Sequence, residues 1–187
     1  MVRLSTDDDL TDFDKKVLPT LEEWGWYVIS VADKPVFSYS VGLFEHFKHP
    51  EIIVFGLDSS TSHGLINDAG KRIREGNKYA TGCRYGELLK DYDCEFRPVD
   101  PARYDGYLNY ALHYYRDSAF PAVQLIWPDE QGYFPWESNF DERFRGDQIL
   151  LQESRPRIRT RPTRPRVVRH GSAITTTIWW TTPVASL

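Results

Sequence analysis

The chain is poor in sulfur: its 187 residues include two cysteines, Cys83 and Cys94, and one methionine. Two thiols supply neither a disulfide framework nor a four-cysteine zinc site, which makes a reducing, cytoplasmic setting the expectation. No apolar run approaches the roughly 20 residues that a membrane-spanning helix needs, so no membrane partner is expected. The first ten residues carry Asp7, Asp8 and Asp9 and lack the basic-then-apolar order of a secretory leader. Also missing are the two glycine-rich phosphate cradles, Gly-x-Gly-x-x-Gly and Gly-x-x-x-x-Gly-Lys-Ser/Thr. No Gly-x-Ser-x-Gly elbow presents a nucleophilic serine, and Ser38 and Ser40 stand in strand-like sequence.

What remains is the composition of one soluble domain, 41% hydrophobic and 27% charged. A chain of this length buries about 70% of the surface its unfolded form exposes, enough for a core without metal or disulfide staples. Its net charge of -4 hides an asymmetry. Residues 1–153 hold all 27 acids and 16 bases, giving -11, whereas residues 154–187 hold seven arginines and no acid, giving +7. The expected organisation is a lead-in over 1–9, a domain over 10–152 and an Arg/Pro-rich basic tail over 153–187. Arginine alternating with proline suits a disordered segment better than a helix. Such a tail can bind nucleic acid only non-specifically through phosphates, with Trp179 and Trp180 stacking bases, and that reading is not favoured.

Hydrophobic spacing divides the body into elements. Phe13, Val17, Leu18, Leu21 and Trp24 predict a helix over 11–24, with Pro19 as a kink or break and Gly25 as its stop. WYVISVA (26–32) and VFSYSVGL (36–43) predict two strands joined by an Asp33-Lys34-Pro35 turn. EIIVFGL (51–57) is continuously apolar, as in a strand covered on both faces. A second helix is expected after Asp58, with Leu65, Ile66, Ala69 and Ile73 as its buried stripe and Gly76 as its end. Further along come a strand at 92–99, a third helix over 102–117, a strand at 120–127, and a short returning strand at YFPW (133–136). The order predicts an α+β fold: one domain with a mainly antiparallel sheet flanked by about three helices.

Several of these blocks, namely FSYSVGL at 37–43, HPEIIVFGL at 49–57 and QLIWPDEQGYFPWE at 124–137, carry a resemblance. In order and spacing they resemble a bacterial family known as domain of unknown function four-two-six-two. The likeness spans roughly residues 20–150. It implies a shared fold and brings no established reaction.

Two clusters carry candidate chemistry. His46, His49 and Glu51 crowd the entry to the third strand, with His63 beyond it, and imidazole with carboxylate is a first-row metal donor set. The spacing lacks the geometric guarantee of a helical His-Glu-x-x-His, and no metal is assigned; the competing reading is a turn in which these groups satisfy backbone partners. Trp127, Asp129 and Trp136, with Gln124 and Tyr39, could wall an aromatic and acidic pocket for a small molecule or peptide group. The competing reading is a hairpin corner, with Trp127 and Trp136 in the core and Asp129 capping the turn that Gly132 permits. The sequence-level expectation is that Tyr39, His49, Glu51, Gln124, Trp127, Asp129 and Trp136 line one ligand pocket, with His49, Glu51 and Asp129 as candidate acid–base groups. Cofactor and oligomeric state are unassigned, and whether the chain is an enzyme is left open. Two alternatives stand beside this reading: a regulatory interaction module acting through the basic tail, and a flavin-binding split barrel. Cys83, between glycine and Arg84, is a weaker candidate thiol, and Cys94 reads as a core residue.

Overall fold

A computed structural model describes residues 10–116 and 119–152. The first helix, α1 (Asp12–Trp24), starts at Thr11, whose hydroxyl accepts from the Asp14 amide while the Asp14 carboxylate accepts from the Thr11 amide. This reciprocal capping box satisfies two donors that a helix start leaves orphaned. Pro19 is accommodated without a break, and Gly25 closes the helix at φ +90. The hairpin strands β1 (Tyr27–Val31) and β2 (Phe37–Val41) follow, then a short helix α2 (Leu43–Phe47) and β3 (Glu51–Phe55). The long helix α3 (Ser59–Arg74) is capped by Asp58, which accepts from the Ser60 and Thr61 amides.

The second half begins with β4 (Arg84–Leu89) and β5 (Tyr92–Pro98). A 3₁₀ turn then leads into α4 (Tyr104–Tyr107) and α5 (Asn109–Tyr115), followed by β6 (Ala122–Ile126) and a one-turn α6 (Glu142–Arg145). The six strands form one open sheet in the order β1-β2-β3-β6-β5-β4. Four of its five pairings are antiparallel, and β3 with β6 is parallel.

The alternation of side chains along a strand splits the core into two layers. Ile52 and Val54 join Leu65, Ile66, Ala69 and Ile73 of α3 on one face. Ile53 and Phe55 join Phe37, Tyr39, Leu108 and Ala111 beneath α4 and α5 on the other. Gly70 has a packing reason to interrupt α3: a Cβ there would stand 2.5 Å from the Trp26 ring.

The expected fold class is what the structure shows, with differences in detail. The third helix is not continuous over 102–117, because Leu108 (φ -120, ψ 34) leaves helical geometry between α4 and α5. The YFPW segment is not a strand; it runs as turns and irregular chain. β4 was not expected because RYGELL has no fully buried residue and no alternating pattern, and its register against β5 shifts. The first nine residues and the tail from 153 lie outside the described residues, and so do the expectations attached to them.

Candidate functional site

The two clusters singled out in the sequence sit at opposite ends of the parallel pair. Glu51 begins β3 and pairs with Ala122. Trp127 is five residues further along the parallel neighbour, about 16 Å away at roughly 3.3 Å per residue. Its indole N–H donates to the Phe55 carbonyl at 2.8 Å, which fixes it at the far end of β3. His49 and Glu51 therefore share one end, Trp127 and Asp129 occupy the other, and Tyr39 and Gln124 lie between, on the row that crosses Ile53. A single pocket holding all seven residues is not what this register builds.

At the first end, Glu51 is fully buried and meets four donors. They are the Ser40 and Tyr115 hydroxyls, both at 2.5 Å, and the Gly42 and Phe44 amides, both at 3.0 Å. Burial pushes its pKa up, against the pull of those donors, and the net shift is upward. The carboxyl ties β2, α2 and α5 together. His49 is 4% exposed; Nδ1 lies 2.8 Å from the Pro50 carbonyl, and Nε2 accepts from the Tyr79 amide at 3.3 Å. Burial lowers its pKa, in keeping with the neutral, Nδ1-protonated ring that these contacts require. His49 thus fixes the loop before β4 against β3.

At the second end, Asp129 organises the loop that follows β6. Its Oδ1 accepts from the Gln131 and Tyr133 amides, and its Oδ2 from the Asp141 amide at 2.8 Å. Gln148 pairs with the Trp127 backbone in both directions, while Gln124 donates to the Ile149 carbonyl and accepts from the Leu151 amide. These side chains act as substitutes for a neighbouring strand, holding residues 147–151 against the sheet. Trp136 stacks on Phe134 and carries the Arg97 guanidinium 4.1 Å from its ring centroid. Arg97 Nε lies 2.5 Å from Glu95 Oε1, an ion pair by proximity although off the direction of an N–H hydrogen bond. One face of Trp136 is thus occupied by the protein's own arginine.

Beside this scaffolding lies a cleft of about 450 Å³ beyond the carboxyl end of β3, against the β1–β2 turn. Its walls are Lys34, Pro35 and Val36 from the β1–β2 turn, Gly56, Leu57 and Asp58 after β3, and Gly146, Asp147 and Ile149 after α6. Gly56, at φ +78, permits the approach of the last wall: a Cβ there would lie 2.9 Å from the Asp147 carbonyl oxygen. Gln124, Trp127 and Asp129 position this wall from behind. The sequence reading missed the lining residues because they are turn residues, ordinary in type; the glycine ending an apolar strand before the Asp58 cap is the signal that was there.

Among the described residues, no group of three or more His, Cys, Asp or Glu could hold a metal ion, and His46 instead places Nδ1 3.1 Å from the Gly42 carbonyl. Cys83 is exposed, whereas Cys94 is fully buried and its thiol is pushed up to about 12 by burial. No helix among the described residues is long and apolar enough to cross a membrane.

The fold defines a mixed-sheet α+β domain with helices on both faces and a cleft beyond the end of β3. The chain belongs to the family described as Domain of unknown function (DUF4262), which it matches over residues 20–141. No curated protein and no solved structure matches it.

Proposed function

We propose that the domain binds a small zwitterionic molecule, an amino acid or short peptide, in the cleft beyond the carboxyl end of β3. The observation that supports this reading is the cleft itself, a concavity walled by three turns with a cation and an anion in its lining. Lys34 on one wall suits an acid group, and Asp147 on the opposite wall suits an ammonium group. The Asp58 carboxylate is engaged as the cap of α3.

The test is a titration of the ¹⁵N-labelled chain with a panel of amino acids and dipeptides. Amide shifts should concentrate at Gly56, Leu57 and Asp147, and Lys34→Ala or Asp147→Asn should each weaken binding about tenfold. Silence at those three amides with ligand at millimolar concentration would overturn the reading. The split-barrel alternative is not favoured, because among the described residues the sheet is open, with β1 and β4 at its two ends and a helical layer on each face.

A further inference from the structure

A second concavity, of about 280 Å³, lies on another part of the surface, between the end of α1, the start of β1 and the middle of α3. Its apolar side is made of Trp24, Trp26, Tyr27 and Val28; its polar side is made of Thr20, His63, Asn67 and Lys71. Trp24 is 46% exposed, although it is among the most hydrophobic side chains of the chain. The floor is rigid. Trp26 is 4% exposed, its indole N–H donates to Asn67 Oδ1 at 2.9 Å, and its ring fits against Gly70, where any Cβ would collide with it.

Lys71 lines the groove and no acid does, in a body whose residues 1–153 carry -11. The nearest partner given to Lys71 is Asp68 at 3.0 Å, an exposed pair that holds the ammonium weakly. Arg74 adds a further cation 5.8 Å from the centre of the Trp24 ring. A cavity of about 150 Å³ accepts a single benzene ring, so this one has room for two fused rings or a substituted one.

From the aromatic wall, the fixed floor and the cationic rim, we propose that this groove binds a planar aromatic carboxylate, its ring against Trp24 and Tyr27 and its acid group toward Lys71. This site is independent of the cleft beyond β3, and either can fail without the other.

The experiment uses the full chain and two probes of equal shape, 2-naphthoate and its uncharged amide, followed through ¹H–¹⁵N spectra. The carboxylate should shift the indole N–H signals of Trp24 and Trp26 and the amides of Asn67 and Lys71, and should bind about tenfold more tightly than the amide. Lys71→Gln should erase that preference while leaving residual binding of both probes. Trp24→Ala should abolish binding with little loss of thermal stability, since the side chain is half exposed. Equal affinity of the two probes in the wild-type chain would overturn the proposal. So would shifts indifferent to Trp24→Ala, shifts confined to Gly56 and Asp147, or no shift with probe at millimolar concentration.

Discussion

Replacing Glu51 tests whether its carboxyl is a structural hub. In Glu51→Ala four donors lose their acceptor. The Ser40 and Tyr115 hydroxyls can turn elsewhere, and the Gly42 amide retains the Tyr115 oxygen at 3.2 Å. The Phe44 amide has no such substitute, and each orphaned buried donor costs about 1–3 kcal/mol. With the cavity left by the side chain added, the loss should be about 3–5 kcal/mol, a large part of a domain's usual stability. Glu51→Gln keeps an oxygen for Gly42, Phe44 and Tyr115 and offers an N–H to Ser40, so it should cost no more than about 1.5 kcal/mol. Urea unfolding followed by tryptophan fluorescence and circular dichroism measures both.

The pH dependence has a definite sign. Glu51's folded pKa lies above its unfolded one, so the stability it contributes is full below the unfolded value of about 4.3 and falls as pH rises through the folded value. The Gln variant should therefore gain on the wild type across that window. An alanine variant within about 1 kcal/mol of wild type, or a glutamine variant as damaged as alanine, would refute the reasoning.

Three further outcomes follow from the same contacts. Asp129→Asn loses the acceptor for the Asp141 amide and should cost about 1–2 kcal/mol, with hydrogen exchange accelerated first at Gln131, Tyr133 and Asp141. Gly56→Ala should cost at least about 1 kcal/mol more than Gly76→Ala in thermal melts, since both sites have positive φ but only Gly56 faces a wall within 4 Å. His49, whose folded pKa is lowered by burial, should contribute stability that is present above its unfolded pKa of about 6.5 and is lost as pH falls through the folded value; His49→Gln should flatten that limb of the stability profile.

Much of the fold was legible because burial leaves a periodic trace. The stripe Leu65, Ile66, Ala69, Ile73 reports one buried helix face, and the unbroken run of β3 reports a strand covered on both faces. β4 left no such trace, since only Tyr85, Leu88 and Leu89 pack partly against the core, out of step with strand alternation. LFEHF read as the end of a strand and a loop because five residues make barely more than one turn, too few to show helical spacing. His49 and Asp129 bond backbone groups, as the turn reading expects, whereas the segment after β6 forms no hairpin and Trp136 is half-buried rather than in the core. The separation of the two clusters was invisible, because a parallel pairing between strands some seventy positions apart is a tertiary fact: it sends Glu51 to one end and Trp127 to the other. Trp136 looked available for a ligand because nothing local announces that Arg97 of β5 will lie over its ring.

The lone parallel contact divides the sheet into two three-stranded halves, β1-β2-β3 and β6-β5-β4, each held internally by antiparallel pairings. The ladder between them runs through four registered positions, from Glu51 with Ala122 to Val54 with Leu125, and the Trp127 indole adds a bond to the Phe55 carbonyl beyond its end. The halves draw on contiguous stretches of chain, so each can assemble from nearby residues before the long loop between β3 and β6 must close. The midline is then a seam, sewn last, and the cleft beyond β3 cannot exist until the two halves have met.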